Sequence, residues 1–115
     1  MNREIKAQWV AALRSGEFEQ GRKSLCRQER YCCLGVLCEL AHRQGVVAKN
    51  SCDYDDELVS YGALGETVVL PPEVQGWAGL AGNQNPHVSG RPLSIWNDMQ
   101  REGFERLADR IERSL

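Results

Sequence analysis

A chain of 115 residues with 42% hydrophobic and 26% charged residues fits one domain, 1–115, with a real core. A formal net charge of −2 gives no global attraction to duplex nucleic acid or to an anionic membrane. No apolar run approaches the roughly 20 residues needed to span a bilayer, and the N-terminus lacks the apolar region of a signal peptide. The expected compartment is therefore the cytoplasm, where thiols stay reduced, and no membrane partner is expected. An odd number of cysteines, five, with Cys32 and Cys33 adjacent, argues against a disulfide framework.

Residues 2–15 read as an amphipathic helix. Asn2 suits the N-cap, Ile5, Trp9, Ala12 and Leu13 share a face, and Gly16 suits the end. Glu17 to Arg30 is polar and reads as an irregular loop. Residues 32–44 read as a second helix. Leu34, Leu37, Cys38 and Ala41 recur at helical spacing, and so do Cys33, Val36, Leu37 and Leu40, which predicts a helix buried most of the way round. Gly35 inside it costs about 1 kcal/mol against Ala, so another backbone is expected to pack close there. Gly45 is the expected C-cap.

Val46-Val47-Ala48 reads as a short strand, followed by an acidic cluster of Asp53, Asp55, Asp56 and Glu57. Thr67 to Leu70 is the clearest strand signal, being β-branched and stopped by Pro71-Pro72. Pro72 suits the first position of a short helix with Val74, Trp77 and Ala78 inward and Gly82 near its end. Asn83 to Pro92 reads as a surface loop, and Leu93 to Gln100 as one or two helical turns. Asn97 or Asp98 is then expected to cap a final helix carrying Phe104, Leu107, Ala108, Ile111 and Leu115 on one stripe. The fold expected from these elements is α+β and mostly α. Its buried central helix, about 32–44, is packed by the N- and C-terminal helices and by a short strand or hairpin near 66–70. Loops at 17–30, 48–60 and 82–92 form the expected exposed surface.

Four constellations could carry chemistry. Cys38 and His42, four apart on a helix, could face one ion. A closed zinc site wants four ligands, usually in paired knuckles, and the chain has no such pair, so no metal or other cofactor is expected. Counting an EF-hand loop from Asp53 puts Leu58 and Leu64 where Gly and Glu are required, so the acidic cluster reads as a solvated loop. Cys32 or Cys33 opens a helix whose dipole lowers a thiol pKa. With His87 and then Asn97 or Asp98, the chain order matches that of small papain-like hydrolases. Arg22, Lys23, Arg27 and Arg30 lie close together and could hold a small nucleotide-like anion, which needs only two or three such groups with backbone donors.

The segments Trp9-Val10-Ala11-Ala12-Leu13-Arg14-Ser15-Gly16, Gln20-Gly21 and Tyr31-Cys32-Cys33-Leu34-Gly35-Val36-Leu37-Cys38 resemble small uncharacterised proteins of tailed phages and prophages. So do Leu70-Pro71-Pro72, Asn97-Asp98 and Phe104-Glu105-Arg106-Leu107-Ala108-Asp109-Arg110-Ile111-Glu112. The similarity covers most of the chain and is weakest around residues 45–66. The chain departs from it at Trp96 and at Met99-Gln100-Arg101-Glu102, where a shorter Asn-Asp-Gly turn is expected. The resemblance implies a phage or prophage accessory protein and assigns no catalytic residue. The leading expectation is non-enzymatic binding of a host protein, including a counter-defence role. Binding of a small nucleotide-like anion and a cysteine hydrolase are the alternatives, and self-association stays open.

Overall fold

The computed structural model describes all 115 residues. α1 (Arg3–Arg14) starts at Asn2, whose Oδ1 accepts the Ile5 N–H at 3.0 Å. Its buried residues are Ile5, Trp9, Val10 and Leu13. The last helix, α5 (Phe104–Ser114), buries Leu107, Ala108 and Ile111 and packs chiefly on α1. Arg14 ties the two together through Asp109 at 2.6 Å and Glu112 at 3.3 Å.

The centre of the molecule is α2 (Cys33–Arg43). Eight of its 11 residues are buried, as its two overlapping apolar faces predict. It meets α1, α3 (Pro72–Trp77) and α4 (Leu93–Asp98). Gly35 has the close backbone neighbour its position implies. A Cβ there would stand 1.7 Å from the carbonyl oxygen of Leu25. The helix ends as expected at Gly45, φ +76°, with Gly45 N–H on His42 O and Val46 N–H on Ala41 O at 3.0 and 2.9 Å. α3 begins at Pro72 and ends in the same way at Gly79, three residues before the expected Gly82.

A five-stranded sheet covers one side of α2. Its strands are β1 (Glu19–Gln20), β2 (Cys26–Arg27), β3 (Arg30–Tyr31), β4 (Lys49–Cys52) and β5 (Asp55–Tyr61), in the order β1-β3-β2-β5-β4. β1 runs parallel to β3, and the other pairs are antiparallel. A separate two-stranded hairpin, β6 (His87–Val88) and β7 (Arg91–Pro92), precedes α4. Helix residues outnumber strand residues about twofold, so the fold is α+β and mostly α.

Three expectations are corrected. Residues 17–30 are not an exposed loop: they supply β1, β2 and the start of β3, and they bury Phe18, Leu25 and Cys26 in the core. The hairpin lies at 49–61, over most of the segment 48–60 expected as loop, while Val46 to Ala48 only lead into β4. Thr67 to Leu70 is not a strand. The ladder stops at the single Tyr61–Glu66 bridge, and the segment then makes scattered bonds, with Leu25 N–H on Thr67 O and Leu70 N–H on Gln84 O. β-branched residues favour extended backbone, but a strand also needs a partner edge, and β5 has already ended there.

The turn joining β2 to β3 is Gln28-Glu29, with φ of +51° and +61°. A two-residue hairpin that needs left-handed backbone at both positions is normally Asn-Gly, and each non-glycine residue there costs about 1 kcal/mol. The strained turn is held from outside by Gln28 N–H on Glu57 O of β5 at 3.1 Å. Replacing Gln28-Glu29 by Asn-Gly is expected to raise stability by about 1 kcal/mol in chemical denaturation. Gly35→Ala, despite the better helix former, is expected to cost about 3 kcal/mol or more in the same measurement, because the obstruction is backbone.

Candidate functional site

The segment carrying the arginines is positioned from the N-terminus of α2. Asn97 on α4 is fully buried. Its Oδ1 accepts the Cys33 N–H at 3.2 Å and Gln20 Nε2 at 2.9 Å. Its Nδ2 donates to Gly21 O at 3.0 Å and to Asp98 Oδ1 at 2.7 Å. Gln20 Nε2 also donates to Glu102 O at 2.8 Å. One amide thus ties β1, the start of α2 and α4 together with all its hydrogen-bonding groups satisfied. Asn97 is therefore no cap of α5, whose N-cap position is Gly103 and has no side-chain cap. Trp9 Nε1 reaches the same place and donates to Cys33 O at 2.9 Å.

Beyond this anchor, Arg22, Arg27 and Arg30 line one pocket of about 240 Å³ together with Gln20, Gly21, Ser24 and Gln28, with no hydrophobic residue in its lining. No carboxylate lines it. Arg27 is tied to Asp55 at 2.8 Å and Glu57 at 3.4 Å, and this hydrogen bond holds the Asp55 carboxyl below its usual range. Arg30 has only a long contact, 4.0 Å, with Glu19. Arg22 has no ion pair, and its Nε is buried without a hydrogen-bond partner. Lys23, exposed at φ +73°, stands beside the pocket without lining it.

Gln28 also lines a second, larger cleft of about 720 Å³. Its apolar part is Phe18, Cys26, Tyr31 and Val59. Phe18 and Tyr31 meet edge to face at 5.2 Å. The two cations of the cleft are already engaged. Arg43 pairs with Glu17 at 2.6 Å and lies 5.0 Å from the Phe18 ring centre. Lys49 pairs with Glu39 at 2.8 Å and bonds Tyr31 Oη at 3.3 Å. Burial alone would lower the Lys49 pKa, but these hydrogen bonds outweigh it and raise it. Glu39, a charge inside an apolar run, also accepts from Tyr61 Oη at 3.1 Å. Burial and the Glu39 carboxylate push the Tyr61 phenol well above its ordinary pKa. Glu29 and Asp56 at the cleft have no ion pair.

The thiols fall in a different environment. Cys32 is the N-cap of α2, and its Sγ accepts the Gly35 N–H at 3.4 Å. Burial pushes its pKa up to about 12, and drives Cys33 and Cys38 well above the ordinary value. His87 is exposed on β6 and makes no side-chain hydrogen bond to a cysteine. Asp98 is engaged by Asn97. The structure therefore does not bring Cys32 or Cys33, His87 and Asp98 into a nucleophile–base pair. His42 bonds Val47 O through Nδ1 at 2.9 Å, and no three His, Cys, Asp or Glu side chains converge as metal ligands. Asp53 and Tyr54 form the β4–β5 turn, and Asp55 to Glu57 open β5.

Two functional positions escaped sequence reasoning. In the sequence Asn97 reads as a helix cap or as the orienting residue of a cysteine hydrolase, not as a buried link between β1, α2 and α4, and Gln28 carries no signal beyond its neighbours. Glu39 was the readable clue, since a carboxylate in a buried helix requires a partner. Asn97→Ala is expected to cost about 3 kcal/mol in denaturant unfolding, because Cys33 N–H, Gly21 O and Gln20 lose a shared buried partner.

No helix is long and apolar enough to cross a membrane. No curated protein and no solved structure matches the chain. The family model described as "Domain of unknown function (DUF8296)" matches residues 1–115, and the chain belongs to that family.

Proposed function

We propose that the protein is a non-catalytic binding protein that holds a small phosphate-class anion between Arg22, Arg27 and Arg30. One observation carries this reading. Three arginines line a single pocket with no carboxylate residue in its lining, and Arg22 Nε is buried with no hydrogen-bond partner. Guanidinium forks match phosphate oxygens in geometry and charge. A buried donor left unpaired costs about 1–3 kcal/mol.

Catalysis has no comparable support. The three thiols of the α2 region are held protonated by burial, and the polar groups around them are engaged in structure. The similarity to phage and prophage proteins supports an accessory role exercised by binding or sequestering a ligand.

Pyrophosphate titrated into the protein by calorimetry at low ionic strength is expected to bind, more weakly as salt rises. Arg22→Ala and Arg30→Ala are each expected to weaken it about tenfold, with little change in thermal stability, since neither side chain makes a close ion pair. Absence of binding, or an affinity that both variants leave unchanged, rejects the reading.

A further inference from the structure

We infer that the larger cleft takes a basic side chain of a protein partner, with its methylene stem on the apolar floor and its charged head at the Glu29 and Asp56 carboxylates. This inference goes beyond the anion reading and does not depend on it. In the β2–β3 hairpin Cys26 pairs with Tyr31 and Arg27 with Arg30, so the two pairs point to opposite faces. Cys26 and Tyr31 line the cleft, while Arg27 and Arg30 line the small pocket. Each cavity therefore serves a ligand of its own.

At about 720 Å³ the cleft lies in the range of ligand sites. Four carboxylates line it, those of Glu17, Glu29, Asp56 and Glu57, against the two cations Arg43 and Lys49. Both cations are held, Arg43 by Glu17 at 2.6 Å and Lys49 by Glu39 at 2.8 Å. Glu57 faces Arg27 at 3.4 Å. Glu29 and Asp56 are exposed and have no ion pair, so the charge open to a partner is negative. No three His, Cys, Asp or Glu side chains converge as metal ligands. The floor is apolar: Tyr31 and Val59 are half-buried above the buried Phe18 and Cys26. A compact hydrated ion gains nothing from such a floor. An arginine or lysine side chain matches both parts, because it lays an apolar stem along a surface and keeps its charged head at the edge. The cleft already holds one basic side chain of its own in this way. Arg43 lies 5.0 Å from the Phe18 ring centre while its guanidinium meets Glu17. Glu29 and Asp56 offer the same pairing to a chain laid across the surface, and charge complementarity selects a basic one.

The test records amide NMR spectra of the full chain while a six-residue peptide with one central arginine is added at low ionic strength. The same titration uses the citrulline counterpart, which keeps the stem but is neutral, and agmatine, which carries the same stem and guanidinium on a small free amine. The arginine peptide is expected to shift the amides of Glu29, Tyr31, Asp56 and Val59. It is expected to bind about tenfold more tightly than the citrulline peptide. The Glu29→Gln/Asp56→Asn double variant changes two exposed, unpaired side chains, and its own amide spectrum reports that the fold is kept. It is expected to abolish the difference between the two peptides. Absence of binding, equal binding of the two peptides, a difference that survives in the double variant, or shifts confined to other surfaces overturns the inference. Tighter binding of agmatine than of the peptide also overturns it, by making the occupant a small amine. So does perturbation of the same amides on raising the protein concentration alone, which makes the occupant a second copy. Pyrophosphate titration tests the arginine pocket separately, so the two readings fail independently.

Discussion

The crossing of α2 over the backbone of Leu25 governs the rest of this structure. Glycine at position 35 lets a helix come within direct contact of a peptide carbonyl, so no side-chain layer separates α2 from the start of β2. Leu25 and Cys26 then fall into the core, while Arg27 points outward on the exposed face. The helix accepts the propensity cost of glycine, about 1 kcal/mol, in exchange for a sheet drawn tight against it. Once that contact is made, the polar stretch 17–30 cannot remain a loose loop. Its ends are fixed by Phe18 in the core and by the β3–α2 junction, and its middle by Leu25.

A second constraint follows from the first. Bringing backbone so close to a helix N-terminus buries amide groups that water would otherwise satisfy. Asn97, Cys32 and Trp9 take over that task from three different elements. The same Asn97 amide grips Gly21 and Gln20, so the residues just before Arg22 are held to the core by fully paired hydrogen bonds. The arginine pocket therefore sits at the rim of a rigid clasp. A side chain whose stem is fixed by such a clasp loses less entropy on binding than one on a free loop. On the other side of the sheet, Glu39 imposes a comparable demand. A buried carboxylate costs several kcal/mol unless paired, and Lys49, Tyr61 and Arg43 together neutralise it. That commitment, with the Arg43–Glu17 pair, leaves the cleft without a free cation.

Helices were legible in the sequence because their signals are local. Asn2, Gly45 and Pro72 each act within one turn of themselves, and the apolar stripes of α1, α2 and α5 repeat at a fixed spacing. Strands were less legible because pairing is not local. β1, β2 and β3 are two residues each, too short for an alternating pattern, and they exist because α2 presses on Leu25. Thr67 to Leu70 carried the right residue types but pairs with no strand. For the site, the basic cluster was readable as charge, and the structure brings three of its four members together, leaving Lys23 outside the lining. The cleft was not readable, since Phe18, Tyr31, Lys49 and Asp56 come from four separate segments joined only by the fold.

The cysteines show how competing effects decide function here. A thiol at a helix N-terminus is the usual starting point for an activated nucleophile, because the helix dipole favours thiolate. At Cys32 the dipole meets nearly complete burial, and burial wins, taking the thiol up to about 12. At pH 7 the thiol is therefore protonated. The N–H groups that would stabilise the anion are already used as structure, with Gly35 N–H on Cys32 Sγ and Cys33 N–H on Asn97. A cysteine in this position serves as a hydrophobic N-cap, able to sit in a dry core where Ser or Asp would demand more hydrogen bonds. The run of thiols in α2 is thus an adaptation to close packing. The polar chemistry that can meet a ligand lies outside it, on the strands that the packing fixes in place.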